Sequence, residues 1–118
     1  MMKTIETTED LNSNSVLEQS VMTPVVLFKH SSTCPISARA YSKISKGIED
    51  GSLKADVYML IVQRSRELSN YIEEKFGIQH ESPQVIAVYN KEAVWNASHN
   101  SIDVEAINET LKNLPLHV

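Results

Sequence analysis

Two stretches of the chain, Val25-Val26-Leu27-Phe28 and Val57-Tyr58-Met59-Leu60-Ile61-Val62, are apolar at every position. A strand with one wet face alternates apolar and polar residues, so an unbroken run suits a strand covered on both faces. Between the two runs, apolar side chains recur at Ile36, Ala40, Ile44 and Ile48, with Tyr41 beside them. That spacing predicts a helix burying one stripe, opened by Pro35 and ending near Gly47 or Gly51. Strand, helix, strand in this order requires a parallel pair joined by a right-handed crossover.

The flanking sequence extends this unit. Thr8 followed by Glu9 and Asp10 reads as a helix N-cap with acids in the first turn. Leu11 with Val16 or Leu17 supplies its stripe, and Met22-Thr23-Pro24 breaks it. After the second apolar run, Leu68, Tyr71, Ile72 and Phe76 mark another helix, with Gly77 as its stop. Val85-Ile86-Ala87-Val88-Tyr89 and Ala93-Val94-Trp95-Asn96-Ala97 flank Asn90-Lys91-Glu92, a hairpin pattern. Val104, Ile107, Leu111 and Leu114 predict a last helix that Ser101 would cap. The expected order is α-β-α-β-α-β-β-α: an α/β chain with a mixed central sheet flanked by helices, in thioredoxin-like order, forming a single domain over residues 1–118. That order serves many activities, so function has to be argued from a site.

Composition removes several classes of function. A chain of 118 residues can withdraw about two-thirds of its unfolded surface from water, enough to fold without disulfides or metals. Its single cysteine excludes an internal disulfide framework and any multi-cysteine zinc or iron–sulfur site. His30, His80, His99 and His117 are too far apart in sequence for a short metal motif. Eleven basic against fifteen acidic residues, a net charge of −4, leave no general basic face for nucleic acid. The run Val57–Val62 falls far short of the ~20 residues of a membrane span. An acidic N-terminus lacks the apolar stretch of a signal peptide, so a reducing cytoplasm is the expected compartment. With 3 glycines there is no Gly-rich phosphate loop for a nucleotide.

The chemistry concentrates at Cys34. Pro35 suits the first helical position, which makes Cys34 the N-cap, its side chain aimed at the free N–H groups of Ile36 and Ser37. A helix N-terminus favours thiolate over thiol, and so favours a nucleophile. The motif Cys34-Pro35-Ile36-Ser37 is a dithiol motif with serine in place of the second cysteine. A mixed disulfide at Cys34 then has no internal resolving thiol and must be attacked from outside. Ser37 either donates its hydroxyl to the thiolate or serves the first helical turn alone. In Glu81-Ser82-Pro83-Gln84, a cis Ser82–Pro83 bond would set an exposed backbone edge beside the sulfur, where a substrate strand could pair. His30 either influences the Cys34 proton or closes its strand with one hydrogen bond. Lys29 either attracts an anionic thiol ligand or is a solvated strand-end charge. Trp95 and His99 either border a ligand groove or, for Trp95, fill the core.

Phe28-Lys29-His30-Ser31-Ser32-Thr33-Cys34-Pro35-Ile36-Ser37, His80-Glu81-Ser82-Pro83-Gln84 and Ala93-Val94-Trp95-Asn96-Ala97-Ser98-His99 together resemble the YtxJ-like, monothiol bacilliredoxin family. Asn100 stands where the family pattern has an aromatic. The resemblance implies a thioredoxin-like fold, a link to oxidative or general stress, and removal of bacillithiol from protein mixed disulfides. Carried over by residue, Cys34 matches the attacking cysteine and Pro83 the cis-proline. The expected site is therefore Cys34, Pro35 and Ser37 for catalysis, with Thr33, Ser82 and Pro83 binding substrate and no metal. No bound cofactor is expected. Bacillithiol is the implied co-substrate, bacillithiolated proteins the clients, and a separate NADPH-dependent reductase the route that recycles bacillithiol disulfide; neither nucleic acid nor membrane is an expected partner. The competing class is a non-catalytic redox sensor or binding module modified at Cys34. A cluster-binding monothiol glutaredoxin fits less well, because Pro35 departs from its C-G-F-S pattern.

Overall fold

Period-two alternation along the central strands sorts the core onto two faces of one sheet. The computed structural model describes residues 2–12 and 16–114. Its elements are β1 (Met2–Thr4), α1 (Thr8–Asn12), α2 (Val16–Met22), β2 (Val25–His30), α3 (Pro35–Glu49), β3 (Asp56–Ile61), α4 (Arg66–Phe76), β4 (Gln84–Tyr89), β5 (Glu92–Ser98), a 3-10 turn at His99–Ser101, and α5 (Val104–Lys112). The strands lie in the order β1-β3-β2-β4-β5, with β1 and β2 parallel to β3 and the remaining pairs antiparallel.

Val25 and Leu27 on β2 pack with Leu11, Leu17, Leu68, Ile72 and Ile86 on one side of the sheet. Val26 and Phe28 pack with Ala40, Ile44, Val85, Ile107 and Leu111 on the other. The α4 face and the α3 face are thus separate cores divided by the sheet. Continuing the alternation, Lys29 belongs to the α4 face and His30 to the α3 face. Both apolar runs of the sequence are these central strands, and the crossover helix is α3.

Four local expectations are corrected. β1 was absent from the expected order: at three residues on the sheet edge, with two of its side chains exposed, it carries no periodic signal. The N-terminal helical stretch is described as α1 and α2 on either side of residues 13–15, and its cap is Thr7 rather than Thr8, since Thr7 Oγ1 accepts from Asp10 N–H while Asp10 Oδ2 accepts from Thr7 N–H, a reciprocal box. The last helix is capped by Asp103, whose Oδ1 accepts from Glu105 N–H at 3.3 Å, not by Ser101, which sits in the 3-10 turn. The hairpin turn has two residues, Asn90 and Lys91, both left-handed at φ 54° and 66°, as a tight turn matched to strand twist requires; Glu92 already belongs to β5. Gly77 ends α4 in the left-handed conformation as expected. Among the described residues no helix is long and apolar enough to cross a membrane, and no group of three or more His, Cys, Asp or Glu is placed to hold a metal ion. His117 lies outside the described residues.

Candidate active site

Because β2 and β3 are parallel, with His30 opposite Ile61, the loops leaving both strands emerge at one end of the sheet. The β2 loop leads into α3. There Pro35 is the first helical residue and Cys34, extended at φ −103° and ψ 123°, is the N-cap. The Cys34 carbonyl accepts the first helical bond from Ala38 N–H at 3.0 Å. The free Cys34 is half-buried. Its side chain makes no capping hydrogen bond, contrary to the expected contact with the N–H groups of Ile36 and Ser37. What the helix supplies at the sulfur is the positive end of its dipole, roughly half a unit charge.

Ser37 is fully buried, and its hydroxyl is committed elsewhere than to the thiolate. Ser37 Oγ accepts from Ser31 N–H at 2.9 Å and lies 2.7 Å from His30 Nδ1. One serine oxygen therefore ties the end of β2 and the start of the active loop to the first turn of α3. The reason is the alternation of β2, which turns His30 towards α3, where its ring stacks near Phe28 and Tyr41 at centroid distances of 5.5 and 5.2 Å. Burial lowers the His30 pKa below its ordinary 6.5, so the ring is neutral at neutral pH. His30 thus takes the closing role for its strand, through Ser37.

Gln63, which no sequence pattern marked, holds the remainder of the loop. Its Oε1 accepts from Ser32 N–H at 3.2 Å, and its Nε2 donates to Ser31 Oγ at 2.7 Å and Thr33 Oγ1 at 3.2 Å. Thr33 is exposed beside Cys34 and is fixed by that contact. The parallel register was the available clue: a polar residue two positions past β3 must stand next to the loop that follows β2.

The second loop reaches the same end of the sheet from β4, since Gln84 is the register partner of Lys29. The Ser82–Pro83 bond is cis, as expected. Pro83 is buried and its carbonyl accepts from His99 N–H at 2.9 Å. Gln84 Nε2 donates to Gln79 O at 3.0 Å and closes the loop on itself. Ser82 Oγ and Gln84 Oε1, on either side of Pro83, are buried without a hydrogen-bond partner among the described residues.

Lys29 corrects the expectation most sharply. It is neither a solvated strand-end charge nor exposed to an anionic ligand: the residue is 0% exposed. Its ammonium donates to Ser69 O at 3.1 Å and lies 3.1 Å from His80 Nδ1. Burial lowers its pKa from 10.5 to about 8, and the charge of Glu73 opposes that shift. Period two predicts the side chain's direction, but the length of α4 and of the following loop, which together seal it, is not visible in the pattern. Trp95 is partly buried against the α3-side core, and His99 is exposed, 3.5 Å from Glu81.

Residues 3–107 match the family model described as monothiol bacilliredoxin BrxC. A solved structure of a proposed oxidoreductase with a thioredoxin fold is 37% identical, with a TM-score of 0.80 and 92% of each chain covered. Thioredoxin of Fasciola hepatica superposes with a TM-score of 0.73 at 13% identity, covering 94% of this chain and 97% of that one. Thioredoxin of Schistosoma mansoni does so at 0.68 and 19%, covering 96% and 94%. At those identities the two thioredoxins show the fold alone.

Proposed function

Since the chain belongs to the monothiol bacilliredoxin family, within the thioredoxin-fold thiol–disulfide oxidoreductases, we propose that it removes bacillithiol from protein mixed disulfides through Cys34, with an external thiol resolving the intermediate. The observation that carries this reading is the pairing of a lone cysteine at a helix N-terminus with a buried serine at the position of a second thiol.

The chemistry needs few parts. The Cys34 thiolate attacks the bacillithiol sulfur of the client's mixed disulfide; the S–S bond to the client breaks and the client cysteine leaves as thiolate. A disulfide between Cys34 and bacillithiol remains. Ser37 has no thiol with which to break it, and its oxygen is held by Ser31 and His30. A second bacillithiol, as thiolate, attacks the bacillithiol sulfur of the adduct, releasing Cys34 and forming bacillithiol disulfide. Overall one free bacillithiol is consumed: the client regains its thiol, and the bacillithiol it carried leaves joined to the second one as bacillithiol disulfide, which a separate NADPH-dependent reductase would recycle. Thr33, Ser82 and Pro83 are the proposed contacts for the client strand, and a reducing cytoplasm the proposed setting.

The test is turnover on a bacillithiolated protein in the presence of excess bacillithiol. An oxidoreductase restores many equivalents of client thiol per protein. A sensor modified at Cys34 stops at one equivalent, and that outcome overturns the proposal.

A further inference from the structure

The loop carrying the cis proline is tied to the 3-10 turn by the Pro83 carbonyl and His99 N–H, and to β2 and α4 by His80. His80 donates its backbone N–H to Glu73 Oε2 at 2.7 Å. Its ring Nδ1 lies 3.1 Å from Lys29 Nζ and 3.2 Å from Ser69 Oγ. An ammonium has only donors, so while Lys29 is charged Nδ1 must be the unprotonated, accepting nitrogen and the proton of the neutral ring sits on Nε2. A proton on Nδ1 would point at an ammonium 3.1 Å away. Charged Lys29 and imidazolium at His80 are therefore incompatible in this arrangement.

We propose that Lys29 and His80 form a pH-sensitive latch that positions the Glu81-Ser82-Pro83 loop for docking of the disulfide-bearing segment of the client, with His80 as the positioning residue. This rests on the reading of Pro83 as a substrate contact. The latch joins three elements: Lys29 on β2, Ser69 and Glu73 on α4, and His80 on the loop three residues before Pro83. Around it stand every charge that acts on His80. Lys29 and Arg66 oppose its protonation and Glu73 and Glu81 favour it, while burial opposes it most. His99 faces Glu81 from the 3-10 turn. The sum lowers the His80 pKa below 6.5, so the latch is closed at neutral pH. It opens as acid protonates the ring, which ejects Nδ1 from the Lys29 ammonium and leaves the loop held by its backbone bonds. His80 is an exposed residue and can swing into water without disturbing the core.

Amide hydrogen exchange of residues 79–84 tests the latch without any reliance on turnover. In the wild type, protection of these amides, corrected for the intrinsic pH dependence of exchange, falls several-fold between pH 7 and pH 5, while amides of the β2–β3 pair stay unchanged. Lys29→Met removes the ammonium: protection at pH 7 drops several-fold and its dependence on pH disappears. His80→Gln, which keeps an acceptor that does not titrate, holds its protection flat down to pH 5. In kinetics on a protein mixed disulfide, Lys29→Met raises KM several-fold and leaves kcat within about twofold. Equal protection of wild type and Lys29→Met at pH 7 overturns the latch. An unchanged KM with lost protection overturns its role in docking. Absence of turnover in every variant, wild type included, overturns the activity and leaves the exchange result to decide the latch.

Discussion

Cys34→Ser removes the sulfur and little volume, so it abolishes thiol exchange while leaving circular dichroism and the unfolding midpoint close to wild type; undiminished exchange in that variant contradicts the assignment of the nucleophile. At Ser37 two substitutions separate structure from mechanism. Ser37→Ala leaves Ser31 N–H and His30 Nδ1 without their shared partner, a loss of about 1–3 kcal/mol for an unsatisfied buried group, read as a lower urea midpoint. Ser37→Cys places a thiol one helical turn from Cys34, the spacing at which a first-turn disulfide closes. That variant resolves its own mixed disulfide once and then requires a dithiol reductant. At this scale the sequence was legible wherever a side chain's role follows from its neighbours in the chain. Pro35 fixed Cys34 as N-cap, and the missing second cysteine implied outside resolution. The partners of Ser37 were not legible, because they depend on which way His30 leaves β2 and on how closely α3 lies against it.

Among the elements, the loop after β3 holds residues 31–33 of the active loop through Gln63. Gln63→Ala frees Ser32 and Thr33, leaving Ser31 tied to Ser37, and is expected to lower client exchange several-fold, with the fold unchanged; activity equal to wild type would show that the clamp is idle. The elements that the sequence revealed are those whose pattern carries a strong period or a stop: the buried strands β2 and β3, helices α3 and α4, and the β4–β5 hairpin. Those it concealed are short. β1 pairs only Met2, Lys3 and Thr4 with β3, too few residues for any period. Ser101 was expected to cap the last helix, but it is taken up in the 3-10 turn His99–Ser101, and the cap falls to Asp103. The cis Ser82–Pro83 bond was legible only through topology, since nothing in the four residues around it distinguishes cis from trans.

For the molecule as a whole, buried titratable groups make stability depend on pH in two windows. The Lys29 pKa is lowered in the folded state from 10.5 to about 8, so between those values the unfolded chain binds more protons and stability rises with pH. The full shift corresponds to about 3 kcal/mol, and Lys29→Met should abolish the rise while raising stability at pH 7, since a buried charge is replaced by an apolar side chain. His30 and His80 are also lowered; the unfolded chain takes up protons first as pH falls below 6.5, so their contribution is present above that value and is lost towards acid. Thermal melts from pH 5 to pH 10.5 test both windows, and a flat profile contradicts the burial of these groups. The monothiol mechanism turns on where bacillithiol goes, and a single-turnover mass measurement follows it directly: one equivalent of a bacillithiolated client is mixed with the reduced protein in the absence of free thiol, and both intact masses are recorded. The expected result is a client returned to its thiol mass and a protein heavier by one bacillithiol in disulfide linkage at Cys34, with no transfer in Cys34→Ser. A client released while Cys34 carries no adduct contradicts the monothiol mechanism.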